Sequence, residues 1–444
     1  MFTEMVSVND LIVAAGNGNL GLVVSLLATK VDVNGTDEKW LLCTSSLGHK
    51  LTRQCCSTFA AEWGGRQLGC TNRGANFNTT DENGNTPLTC AAIIGRVGVI
   101  RELLDFGCDI DQVNGGGNTV LSSAAQTDHT ATAPSLLDRG ATVDAQDSIG
   151  CSPLIFASAR GYIDIVRLLP EKGAAIDLTA NDGATPLMLA AASGYIDVMQ
   201  LLLEKGAAMD QTDNDGYSPL TWAAGHGQTE AVQYLVERGA EVDKPTVREV
   251  TPLIGAGADE DGFTALFRAA QNVHYEVIRF LIEKHTAVNT RGYGGSTALS
   301  SATARGNMDI VKLLLENGAE IDQVTHDGAT ALVAAQEGHL AVRCLANVLV
   351  DHGASSDLSD MYGNTTRMLA AQNKHFEMVE CLLKAGASGK LKAQKGDTAL
   401  RFTATGGDTE CIQLLLGHGA DVNEPGNNNC SLRNEDTSTS PRFF

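Results

Sequence analysis

Apolar residues in the stretch Ala184–Ala208 recur twice at helical spacing. Leu187, Ala190 and Ala191 fall on one side of a short segment, and Ile196, Val198, Leu201 and Leu202 on one side of the next. Gly194 separates the two segments and Gly206 closes the second. The pattern predicts a helix–turn–helix unit. Thr185 stands where the first helix needs a cap, and Pro186 follows at the first helical position, where its missing N–H costs nothing. Gly206 stands where a left-handed backbone ends the second helix.

The unit returns every 33 residues: Thr86, Thr119, Ser152, Thr185 and Ser218 open successive first helices at that interval. Thr251-Pro252-Leu253 arrives on time but runs into Gly255-Ala-Gly-Ala-Asp-Glu-Asp, and the working cap comes at Thr264, 46 residues after Ser218. Thr297, Thr330, Thr365 and Thr398 follow at 33, 33, 35 and 33, so ten frames are readable. Several positions depart from the frame: His285 replaces the terminal Gly, and Asp128, Val273 and Lys374 replace the Gly between helices. Pro170, in the last turn of a second helix, predicts a shortened or kinked end there. The Ala pair of each first helix predicts close stacking, since one helix pair is too small to bury its own apolar face.

A 33-residue helix–turn–helix period opened by Thr-Pro-Leu resembles the ankyrin-repeat family, in register over roughly residues 10–423. The His that often follows Pro-Leu in that family is absent; Met188, Thr221 and Phe267 stand there instead. The resemblance implies an all-α ankyrin-repeat solenoid of stacked helix–turn–helix units with β-hairpin loops. Its expected organisation is a tail at 1–9 and a repeat array at 10–423, followed by a disordered tail at 424–444 rich in Asn, Ser and Thr. Within the array, 10–37 reads as an N-terminal cap, 74–243 and 259–423 as regular repeats, and 244–258 as an insertion. Residues 38–73 break the period and read as an aberrant insert or as one repeat scrambled by a shifted reading frame. The resemblance further implies a non-catalytic adaptor that binds other proteins through hairpin tips and a concave groove. The alternative is the substrate-recognition subunit of a larger enzyme complex such as a ubiquitin ligase.

The 444 residues carry a net charge of −21. That field disfavours nucleic-acid backbones and anionic membranes and favours protein partners with a basic surface. The 11 Cys lack disulfide-like spacing, and no charged leader precedes an apolar stretch, which points to a reducing interior: cytoplasmic or nuclear. Leu11–Ala28 is interrupted by Gly16-Asn17-Gly18-Asn19 and is too short to span a membrane. A monomer without cofactor or metal is expected.

Catalytic signals dissolve on inspection. Gly16-x-Gly18-x-x-Gly21 matches a dinucleotide fingerprint, but a helix precedes it where a strand is required, and Gly18 falls on an interhelical turn. Cys43, His49, Cys55, Cys56 and Cys70 lack the paired spacing of a zinc site. Binding positions are clearer. Hairpin tips and the residues before the interhelical turn lie outside the stacking pattern, and aromatic or Arg side chains there are candidate interface anchors. These are Ile149, Arg160, Asn214, Tyr217, His226, Phe263, Tyr293, Arg305, His326 and Tyr362. Trp222, on an inner helix, is expected in the core.

Overall fold

The computed structural model describes residues 80–243, 263–335 and 342–424, apart from 82, 106, 389, 390 and 395. The expected N-terminal tail and cap, the 38–73 segment, the 244–258 insertion and the C-terminal tail beyond 424 lie outside the described residues. The described α-helices form ten pairs. They are α1 (Pro87–Ile94) with α2 (Val97–Asp105), α3 (Val120–Ala125) with α4 (Thr132–Leu137), and α5 (Pro153–Arg160) with α6 (Ile163–Glu171). Next come α7 (Pro186–Ser193) with α8 (Ile196–Glu204), α9 (Pro219–Gly225) with α10 (Thr229–Glu237), and α11 (Ala265–Gln271) with α12 (Tyr275–Glu283). The last four are α13 (Ala298–Ala304) with α14 (Met308–Glu316), α15 (Ala331–Ala334) with α16 (Val342–Asp351), α17 (Thr366–Gln372) with α18 (Phe376–Lys384), and α19 (Ala399–Gly406) with α20 (Thr409–Gly417).

The cap of every first helix does what its chemistry allows. In all ten, the Thr or Ser hydroxyl accepts the N–H three residues on, from 3.1 Å at Thr297 to 3.4 Å at Thr398. The caps are themselves buried, Ser152 and Thr185 completely. Behind them, the Ala pairs Ala190–Ala191, Ala223–Ala224 and Ala269–Ala270 are fully buried. On α8 the buried row is Val198, Met199, Leu201 and Leu202, while Ile196 is only half-buried.

The chain falls into two compact units, the first holding described residues up to Ala190 and Asp197–Ala208, the second Ala191–Ile196 and residues from Met209 on. In the first, α1, α3 and α5 pack one on the next. In the second, α9, α11, α13, α15, α17 and α19 form one row and α10, α12, α14, α16, α18 and α20 the other. Within each unit, Asp or Asn side-chain oxygens of one repeat accept a backbone N–H from the next. The bond runs from Thr142 to Asp111 at 2.9 Å, from Ala208 to Asp177 at 3.2 Å, and from Glu320 to Asn289 at 2.7 Å, each across 31 residues.

The loops are tight turns; among the described residues the only β-pairing is an isolated bridge between Ser359 and Thr365. In the turn at Asp147, its N–H donates to Cys151 O at 3.1 Å, and the next residue is already the cap Ser152, which leaves no room for a second rung. Gly150 in that turn has φ +82, and a Cβ on it would lie 2.5 Å from the Asn181 backbone nitrogen. Both the left-handed conformation and the close approach exclude a side chain.

The four departures from the glycine frame keep the glycine's backbone. Asp128, Val273, His285 and Lys374 have φ of 55°, 66°, 61° and 61°. Pro170 does not shorten its helix: α6 runs nine residues, as α8 and α10 do. So close to the end, its missing N–H costs one bond, and Lys172 N–H still closes on Leu168 O and Leu169 O at 3.1 and 3.0 Å. Arg367 occupies the frame position of Leu187 and is equally buried; its Nη2 donates to Ser388 O at 2.6 Å.

Candidate functional site

The second unit carries an aromatic cluster built from equivalent positions of consecutive repeats. Tyr217 immediately precedes the cap Ser218, and Phe263 immediately precedes the cap Thr264. Because α9 packs on α11, the two rings stack, with centroids 6.4 Å apart and planes 16° apart. Phe263 stacks in turn on the buried Phe267 of α11, at 4.6 Å. Gly292, in the turn before α13, makes room: a Cβ there would meet Phe263 Cδ1 at 2.6 Å.

Arg268, one residue beyond Phe267, lays its guanidinium over the Tyr217 ring, Cζ 4.7 Å from the centroid. Its Nη1 also donates to Gln271 Oε1 at 2.6 Å. Four residues after its own cap, Arg268 matches Trp222 in the preceding repeat.

Trp222 is not in the core. It is half-buried, stacks on exposed His226 at 5.7 Å with planes 5° apart, and donates its indole N–H to Asp213 Oδ2 at 2.8 Å. The reason is geometric. The position four after the cap points away from the buried Ala223–Ala224 pair, and the polar indole edge needs a partner. Asp213 Oδ1 accepts the N–H of Tyr217 at 2.8 Å and of Asp215 at 3.0 Å. Burial raises the Asp213 carboxyl above its ordinary value, against the pull of the bonds from Tyr217, Trp222 and Asp215.

Of the residues expected at an interface, the structure brings together Tyr217, His226 and Phe263, with Asn214 exposed in the adjoining turn. Arg305 is exposed at the end of α13 and lines an open depression with Gly225, His226 and His274. Tyr293 lies in the 3-10 turn Tyr293–Gly295. His326 and Tyr362 sit on turn tips further along this unit, where His326 N–H donates to Gly294 O at 2.8 Å. Tyr362 is 61% exposed beside Met361 at 54%. Ile149, also 61% exposed, and Arg160 belong to the first unit. Sequence reasoning missed Arg268, Asp213 and the exposed edge of Trp222; the shared frame position of Trp222 and Arg268 was the available signal.

Among the described residues no group of three or more His, Cys, Asp or Glu is arranged to hold a metal ion, and the Cys43–Cys70 cluster lies outside them. Burial pushes the Cys151 thiol up to about 11, with Asp147 and Asp182 adding to it, and burial with Asp408 pushes Cys411 up to about 12. Thiols so raised are inert. No described helix is long and apolar enough to cross a membrane.

Comparison with known proteins fits this picture. Over 66 residues the chain is 35% identical to the mouse protein fem-1 homolog A-like, covering 15% of this chain and 10% of that protein. Over 83 residues it is 36% identical to the sheep ankyrin repeat, SAM and basic leucine zipper domain-containing protein 1, covering 18% of each. Over 70 residues it is 40% identical to the Caenorhabditis elegans ankyrin repeat and KH domain-containing protein mask-1, covering 15% of this chain and 3% of that protein. The chain thus spans less than a fifth of the length of these relatives. The family model for ankyrin repeats (three copies) matches residues 58–147, 154–246, 246–325, 317–393 and 368–433. The match begins inside the segment read as aberrant and leaves residues 10–57 outside. With paired helices stacked in sequence and a family match over most of its length, this chain belongs to the ankyrin-repeat family.

Proposed function

We propose that the chain is a non-catalytic interaction scaffold, holding a partner protein against the exposed side of its first helices and the adjoining turn tips. Ankyrin repeats are generally protein–protein interaction modules, and stacked-repeat proteins use such faces for binding. The observation that carries the reading is the half-exposed cluster of Tyr217, Phe263, Trp222 and Arg268 across two consecutive repeats. Aromatic and Arg side chains are the commonest interface anchors, and here they are held in place by stacking rather than left to rotate. The net charge of −21 supports a partner whose surface is basic overall, met in the cytoplasm or nucleus, with salt-sensitive association.

The test is an affinity capture from native cell extract with the full chain beside a Tyr217→Ala/Phe263→Ala variant shown by circular dichroism to be folded. A protein retained by the parent and lost by the variant is the expected result. Capture that persists unchanged in the variant would overturn this choice of face.

A further inference from the structure

One depression on this face is lined by an arginine and by no carboxylate, against a net charge of −21 for the whole chain. Beside the aromatic cluster, the C-terminal ends of α9, α11 and α13 enclose an open depression of about 480 Å³. His226, His274 and Arg305 line it together with Gln271 and Asn272, and no carboxylate is among its lining residues. Arg268 stands one turn back on α11, over Tyr217.

Helix C-termini are negative ends and would ordinarily repel an anion. Here the nearest carbonyls are already occupied. His226 Nδ1 bonds Trp222 O at 2.8 Å, and Gly225 O is bonded by both Asn272 Nδ2 at 2.7 Å and His274 Nε2 at 3.1 Å. Of the two carboxylates in the turn beside the cluster, Asp213 is engaged by the Trp222 indole and two backbone N–H groups, while Asp215 is exposed and lies outside the depression's lining. Arg268 has five N–H donors and gives one bond to Gln271, while Arg305 is exposed at the edge of the depression.

We propose that this face receives an acidic segment of the partner protein. An Asp or Glu carboxylate enters the depression toward Arg305, and a neighbouring apolar or aromatic side chain rests on Tyr217, Phe263 and Trp222. The inference rests on the interaction reading and deepens it. The long-range field draws a basic surface, whereas the contact itself is made to an acid.

The experiment selects a phage-displayed library of random peptides on the full chain, then measures synthetic versions of the selected peptides by fluorescence polarisation. Peptides pairing Asp or Glu with Trp, Phe or Leu are expected. Their affinity should fall about tenfold when the acid is changed to its amide, and again with Arg305→Glu, which is exposed and leaves the thermal midpoint unchanged. A Lys-for-Glu peptide should recover binding to Arg305→Glu. Basic peptides, affinities indifferent to Arg305→Glu, or an empty selection would each overturn the proposal. The scaffold reading stands or falls separately, on capture by the parent and its loss in Tyr217→Ala/Phe263→Ala.

Discussion

Asp243 accepts the backbone N–H of Ala287 at 3.1 and 3.2 Å across 44 residues, where the same bond between regularly spaced repeats spans 31. The difference of 13 is the excess between the caps Ser218 and Thr264, yet α9 still packs on α11 and α10 on α12. Ser355 makes the bond to Asp322 across 33 residues, 2.8 Å long, where the caps are two residues further apart than usual. The bond follows stacking, not chain distance.

Asp243→Ala should therefore weaken the junction of these two repeats. The bond is solvent-accessible, so water partly replaces it and the expected loss is about 1 kcal/mol. Urea unfolding should show the lower midpoint, with Asp243→Asn close to the parent because it keeps an acceptor. Equal midpoints for parent and Asp243→Ala would show that the bond contributes nothing.

Among the described residues Val273 is the one β-branched side chain held at positive φ, +66, where such a residue is strained. Val273→Gly should raise stability by about 1 kcal/mol, the relief of strain exceeding glycine's entropy cost. A higher thermal midpoint checks it, and Val273→Ala should fall between the two.

Gly292→Ala tests the site without touching an aromatic. Gly292 has φ −97, so alanine is tolerated by the backbone, but its Cβ would stand 2.6 Å from Phe263 Cδ1. Phe263 must leave its place against Phe267 and Tyr217. The expected outcome is a several-fold loss of partner affinity, by polarisation or capture, with the helical signal retained.

Two carboxylates give opposite pH signatures. Burial alone would raise Asp408, but bonds from the Cys411 thiol and the N–H groups of Cys411 and Glu410 outweigh it and lower the group below its ordinary value. Its stabilisation of α20 is present above the unfolded value and is lost as pH falls through the lowered one. Asp213, raised by burial, contributes the reverse: its favourable share is present at low pH and lost as pH rises through the carboxylate range. Hydrogen exchange should show α20 amides losing protection on acidification, and Asp408→Asn should flatten that dependence.

Much of this fold was legible from the chain alone because its determinants are local. A cap hydroxyl needs only the N–H three residues on, so Thr86 through Thr398 announce ten first helices. A left-handed residue is required wherever a helix pair turns back. Asp128, Val273, His285 and Lys374 are legible as replacements of that glycine, and the structure holds all four at positive φ. Among the described residues the turn tips form no extended hairpins, since the cap follows the first rung at once. Pro170 left its helix at full length because it stood too near the end.

What a side chain meets across a repeat boundary needed the tertiary structure. Trp222 reads as core from helical periodicity, but its surroundings are set by Asp213 nine residues before it and by the helix stacked beside it. Arg268 over Tyr217 depends on α11 following α9 in space, 46 residues from cap to cap, a distance that hides the pairing along the chain. Sequence alone determined the repeat, its caps and its turns, because these are satisfied within a few residues. Stacking decided the aromatic–arginine face and the depression edged by Arg305 beside it, because both are assembled from different repeats.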